Sequence, residues 1–103
     1  MQHRGKLHFV YYLPYLFYVV LPCKVANMGS FVLVWRKDGG VLTAGKLVVQ
    51  KDKRLQLLDD FSLEINSVKP EDQGTYICEI DVIGQHITID HTVKLREINL
   101  TFT

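Results

Sequence analysis

Apolar residues recur at every second position over most of this chain, the period of a strand that buries one face. Val19, Leu21, Cys23 and Val25 set that phase over residues 18–26, and Phe31, Leu33 and Trp35 repeat it over 31–37. The second run stops at Asp38-Gly39-Gly40, a hairpin turn that needs positive φ. Residues 41–44 then read as the returning strand, and 46–50 as a short edge strand. After a polar break come 55–58 and 61–66, the latter with Leu63 and Ile65 inward. Tyr76, Cys78 and Ile80 phase a strand over 75–82, and a turn at Gly84-Gln85 leads into 86–96, where Ile87, Ile89, Val93 and Leu95 share a face.

Three residue types stand at informative places in this pattern. Trp35 follows Cys23 by about twelve residues, and Tyr76 stands two before Cys78, the spacing of an immunoglobulin sandwich. The expected fold is therefore all-β: an immunoglobulin-like, V/I-set, two-sheet Greek-key sandwich with one inter-sheet disulfide. The chain has only two cysteines, so a Cys23–Cys78 bridge is the one intrachain bond available. Closing a loop of about 55 residues stabilises a fold by roughly 4 kcal/mol on the chain-entropy model. Such a bridge persists in an oxidising compartment, which favours an extracellular or cell-surface setting. The alternative is a reduced intracellular pair of buried thiols, as in muscle-type immunoglobulin domains.

The corner before the strand at 75–82 has its own mechanics. Pro70 presets φ for a helical turn, and Glu71 and Asp72 suit the positive end of its dipole. Gly74 permits a sharp entry into the strand, and the Tyr76 hydroxyl is expected to turn back onto the corner backbone. Arg54 is the expected partner of Asp72, so this carboxylate reads as structural rather than catalytic.

Residues 1–18 break the pattern. A basic start precedes Leu7 to Leu21, an almost unbroken apolar and aromatic run interrupted by Pro14. Three readings are open: a misjoined or vestigial N-terminus, an uncleaved signal-like anchor, or an unusual first strand. The expected division is an atypical apolar segment over 1–18, the domain over 19–96, and a tail over 97–103.

Composition narrows the function more by exclusion than by indication. At 103 residues and 48% apolar, one small core is expected, and a formal charge of +1 gives no electrostatic reason to invoke nucleic acid. His86 and His91 lie five apart on one strand, hence on opposite faces, so no metal is expected, and no cofactor is implied either. Gly39-Gly40 precedes no helix pattern and is a turn rather than a phosphate cradle. No nucleophile has a plausible base near it, so the chain is not expected to be an enzyme. Lys46, Lys51, Lys53 and Arg54 form a weak basic cluster around Asp52, and a solvated edge is the default reading. Asn99-Leu100-Thr101 is a weak glycosylation sequon.

The outward face is the more distinctive feature. If Leu33 and Trp35 point inward, Val32 and Val34 point out, and Ile77 and Glu79 follow in the same way from Tyr76 and Cys78. With Leu42 expected to join them, and Arg36, Glu79 and Gln85 as a polar rim, the group has the profile of an association surface. The bland alternative is scattered surface hydrophobes.

The stretches Val20 to Val25, Val34 to Lys37 and Val41 to Gly45, with Arg54 and the run Asp72 to Cys78, resemble the first immunoglobulin domain of insect neural adhesion proteins, the klingon, lachesin, amalgam and IgLON group. The resemblance covers residues 19–95. It implies an extracellular module that binds immunoglobulin-superfamily cell-surface proteins, homophilically or with a relative. The implicated binding residues are Val32, Val34, Leu42, Ala44, Ile77 and Glu79. Members usually carry several such domains and an anchor, so membrane association would come through a parent protein or the apolar N-terminal segment. The alternative from a different class is a structural spacer domain with no ligand of its own.

Overall fold

The computed structural model describes residues 7–24 and 31–96. Among the described residues nine strands form two sheets: β1 (Leu7–Leu13), β2 (Val19–Leu21), β3 (Phe31–Lys37), β4 (Gly40–Ala44), β5 (Leu47–Val48), β6 (Leu55–Leu57), β7 (Leu63–Ile65), β8 (Gly74–Val82) and β9 (Gln85–Leu95). The larger sheet has the order β1-β9-β8-β3-β4-β5, and the smaller has the order β2-β7-β6. This is the variable-type arrangement, in which two extra strands extend one sheet. The inward positions anticipated from period 2, among them Leu21, Leu33, Trp35, Leu63, Ile65, Tyr76 and Ile80, are buried in one cluster between the sheets. Val25 falls outside the described residues.

The Cys23–Cys78 disulfide joins the sheets beside Trp35, which Cys78 faces across the β3–β8 pair. The indole Nε1–H of Trp35 donates to the Phe61 carbonyl at 2.9 Å, so the largest core side chain leaves no buried donor unmet. Asp38 (φ 51°) and Gly39 (φ 81°) make the left-handed pair that joins β3 to β4, as the turn sequence predicts.

At the corner, Pro70–Asp72 forms a 3-10 turn, and the Tyr76 hydroxyl donates to the Asp72 carbonyl at 2.6 Å. The Asp72 carboxylate accepts from both terminal nitrogens of Arg54, at 2.5 and 2.9 Å, and from the Lys69 backbone N–H at 2.7 Å. Burial pushes that carboxyl up, but these donors outweigh it and hold it below the usual range. Gly74 has φ 143°, and a Cβ there would meet the Lys37 side chain at 3.1 Å.

Residues 7–13, which do not read as a strand by alternation, form β1 and pair in parallel with β9 over seven residues. The period is missing because both faces of β1 are apolar or aromatic. Only the Leu13 end is buried, with Tyr11 packed against the core. Pro14 and a turn at Leu16 (φ 66°) then carry the chain from the larger sheet to the smaller. The Leu16 N–H donates to the Val68 carbonyl at 2.8 Å, fastening the crossing. Among the described residues, no helix is long and apolar enough to cross a membrane.

Candidate protein-binding face

The outward side of the larger sheet is built on β3 and its neighbours. Val34 faces Glu79 on one side and Ala44 on the other, while Arg36 faces Ile77 and Val41. These pairs bring Val34, Ala44, Ile77 and Glu79 onto one surface, and Val32 extends it beside Asp81. Val32 is 58% exposed, and Val34 and Ile77 are half-buried. Arg36 Nε donates to Glu79 Oε1 at 2.7 Å, so Glu79 is a member of an ion pair within the face. Both partners are partly solvated, and such a pair contributes at most about 1 kcal/mol to folding. It fixes where charge sits inside an otherwise apolar band.

Leu42 does not join this surface. The β3–β4 register runs from Trp35 opposite Thr43 to Arg36 opposite Val41, leaving Leu42 as the extra residue of a β-bulge. The bulge breaks strict alternation, so Leu42 and Thr43 are both buried although adjacent; Leu42 is 8% exposed within the core. Its carbonyl accepts from the N–H groups of Val49 and Gln50 at 2.8 and 3.1 Å, which fastens β5 and the segment after it. Val41 takes the outward place opposite Arg36. Gln85, expected on the rim, faces Val82 and shares the phase of Ile87, off the face.

The histidines differ in setting. His8 bonds the Thr92 hydroxyl at 2.7 Å, and His86 pairs with Asp81 at 2.6 Å near Val32. The hydrogen bond to Asp81 raises the His86 pKa above its ordinary value. His91 is wholly buried in the core. Its Nδ1 meets the Tyr11 hydroxyl at 2.8 Å, its Nε2 meets the Pro22 carbonyl at 2.9 Å, and its ring stacks on Phe9 and tilts against Trp35. Burial lowers its pKa. Among the described residues no three metal-ligating side chains converge. His3 and Asn99 lie outside the described residues.

The basic cluster dissolves into separate tasks. Lys46 lies 3.9 Å above the Phe61 ring and donates to the Asp59 carbonyl. Arg54 is engaged by Asp52 and Asp72, so two of the four cations serve the fold. The signal for this lay in Asp52 within the cluster and in the spacing from Arg54 to Asp72.

Comparison with known proteins places this architecture. The immunoglobulin I-set domain model matches residues 18–95. Neogenin of Rattus norvegicus is 39% identical over 62 residues, covering 60% of this chain and 4% of that protein. Protein turtle of Drosophila melanogaster is 32% identical over 63 residues, again 60% of this chain and 4% of that protein. The chain thus spans a small fraction of the curated relatives it matches. Among solved structures, the first immunoglobulin domain of Dpr1 bound to that of DIP-eta superposes with a TM-score of 0.71 at 24% identity, covering 92% of both chains. The ZIG-8–RIG-5 heterodimer of first domains gives 0.71 at 23%, covering 92% of this chain and 84% of that one. At that identity these likenesses concern the fold. The match over residues 18–95, with the disulfide, the buried tryptophan and the tyrosine corner in place, means that the chain belongs to the immunoglobulin I-set family, a family of non-catalytic domains.

Proposed function

We propose that this domain is an extracellular recognition module of the insect neural adhesion type, binding another immunoglobulin domain through the outward face of β3, β4, β8 and β9. The partner is a second copy of the same protein or a cell-surface relative. The observation that carries this reading is the group of Val32, Val34, Val41 and Ile77, brought to one surface by three paired strands and interrupted by the Arg36–Glu79 pair. An apolar group with a fixed ion pair among it suits association with a partner presenting a similar surface. Two further observations support it. The neighbours of similar fold were solved as complexes between first immunoglobulin domains. The disulfide agrees with an extracellular setting. Ala44 and Glu79 complete the proposed contact set, and Leu42 supports it from beneath.

The test is Val34→Glu and Ile77→Glu in the oxidised domain, read by sedimentation and by surface binding to family members. Both substitutions abolish binding to family members through this face while the domain stays folded. A folded domain that binds no family member, or whose binding survives both substitutions, refutes the face and leaves the spacer role.

A further inference from the structure

We propose that the outer edge of β1 pairs with β1 of a second copy of this chain, in antiparallel fashion about a two-fold axis centred on Val10, joining the two larger sheets into one. β1 is the terminal strand of its sheet, with β9 on one side and, among the described residues, no strand on the other. An open edge presents a row of backbone N–H and C=O groups that template another strand, and natural domains blunt such edges with charges, proline, bulges or brevity. The other three edges of this domain are blunted in that way. β2 and β6 have three residues each and β5 has two, with Lys51, Asp52 and Lys53 soon after β5.

β1 has none of these devices. It pairs with β9 over seven residues without a register shift, and from Leu7 to Leu13 it carries no Asp, Glu, Lys, Arg, Pro or Gly. Its large side chains are exposed on both faces: Val10 and Tyr12 outward at 46% and 64%, Leu7 and Phe9 on the side of the core. A second copy is the occupant this strand fits. Centring the axis on its middle residue gives the longest pairing, with Leu7 against Leu13, His8 against Tyr12, Phe9 against Tyr11 and Val10 against Val10. The pairs are apolar or aromatic apart from His8, and no like charges face each other. The arrangement is isologous, so one contact satisfies both open edges and closes the assembly. A second copy necessarily presents the same open seven-residue edge. A net charge of +1 per chain adds little long-range repulsion.

The experiment uses the oxidised full chain in sedimentation velocity over a concentration series. The wild type forms a dimer. Val10→Lys and Val10→Glu, which set like charges opposite each other on the axis, each weaken it about tenfold or more. An equimolar mixture of the two variants restores a dimer. Hydrogen exchange on the wild type adds a readout that needs no variant: β1 amides gain protection with protein concentration, and those of β3 and β8 do not. A chain monomeric throughout, a dimer indifferent to both Val10 variants, open-ended polymers that persist in the Val34→Glu variant, or β1 exchange independent of concentration overturns the proposal. So does a dimer dissolved by Val34→Glu alone, a result that would leave the proposed face standing.

Discussion

Acid should loosen this domain through one buried ring before it reaches the carboxylates. His91 sits in the core with Tyr11 and Phe9 of β1 on one side and Trp35 of β3 on another, and Tyr76 of β8 lies opposite it in register. The Pro22 carbonyl accepts from one ring nitrogen, so the neutral ring accepts at the other from the Tyr11 hydroxyl. Burial holds its pKa below the ordinary 6.5, outweighing the Pro22 carbonyl and the charge of Asp90, which pull upward; His8 adds slightly to the depression. The unfolded chain therefore takes up a proton near 6.5 while the folded chain does not. This contribution is complete above about 6.5 and is lost as pH falls toward the folded value, at up to about 1.4 kcal/mol per pH unit. In a domain of this size one such unit shifts the thermal midpoint by roughly 5–10 °C. The measurement is urea unfolding of the oxidised protein between about pH 7 and about pH 5, wild type against His91→Gln, whose amide still donates to Pro22 but does not titrate. His86, exposed and shifted in the opposite direction, is common to both proteins and cancels. The wild type loses stability faster than the variant across that interval. Parallel curves would refute the reasoning.

Other substitutions probe separate parts of the architecture. Leu42→Ala should cost about 2–3 kcal/mol in chemical denaturation, because the bulge has turned this side chain into the core; a cost below about 0.5 kcal/mol would place it on the surface. Arg54→Met should cost about 3 kcal/mol, since it leaves the Asp72 carboxylate with the Lys69 N–H and no hydrogen-bonded cation, while Arg54→Met combined with Asp72→Leu recovers part of the loss in a double-mutant cycle. Replacing both cysteines by alanine should lower unfolding stability by about 4 kcal/mol, measured against the oxidised wild type.

The parts of this fold set by period and spacing were legible in the sequence. β3 falls on residues 31–37 as read, and the disulfide, Trp35 and the tyrosine corner are where the spacing puts them. They are legible because each depends on local alternation or on a contact that the sandwich enforces. β1 was not, because a strand that is apolar on both faces carries no period; its place is decided by pairing with β9, far away in sequence. Leu42 was misplaced for a related reason. Alternation is a rule about uninterrupted pairing, and one inserted residue on β4 switches the strand's phase at that point without any mark in the sequence itself.

His91 shows how much further the same rule reaches when applied strictly. It shares its phase on β9 with Ile87, Ile89, Val93 and Leu95, so the strand that buries those side chains must also bury the imidazole. A buried polar ring requires partners, and near β9 the sources are the strand beside it and the chain entering the disulfide. Both are supplied from before Cys23, by the Tyr11 hydroxyl and the Pro22 carbonyl. The apolar N-terminal run is thereby tied into the core of the domain, and its seating on β9 is coupled to the protonation of one histidine. The edge that β1 offers to a second copy exists only while β1 stays in place. Dimerisation through that edge should accordingly weaken with acid over the interval in which His91 titrates. An acid-insensitive dimer of the wild type over that interval would separate the two, leaving the edge without its dependence on the histidine.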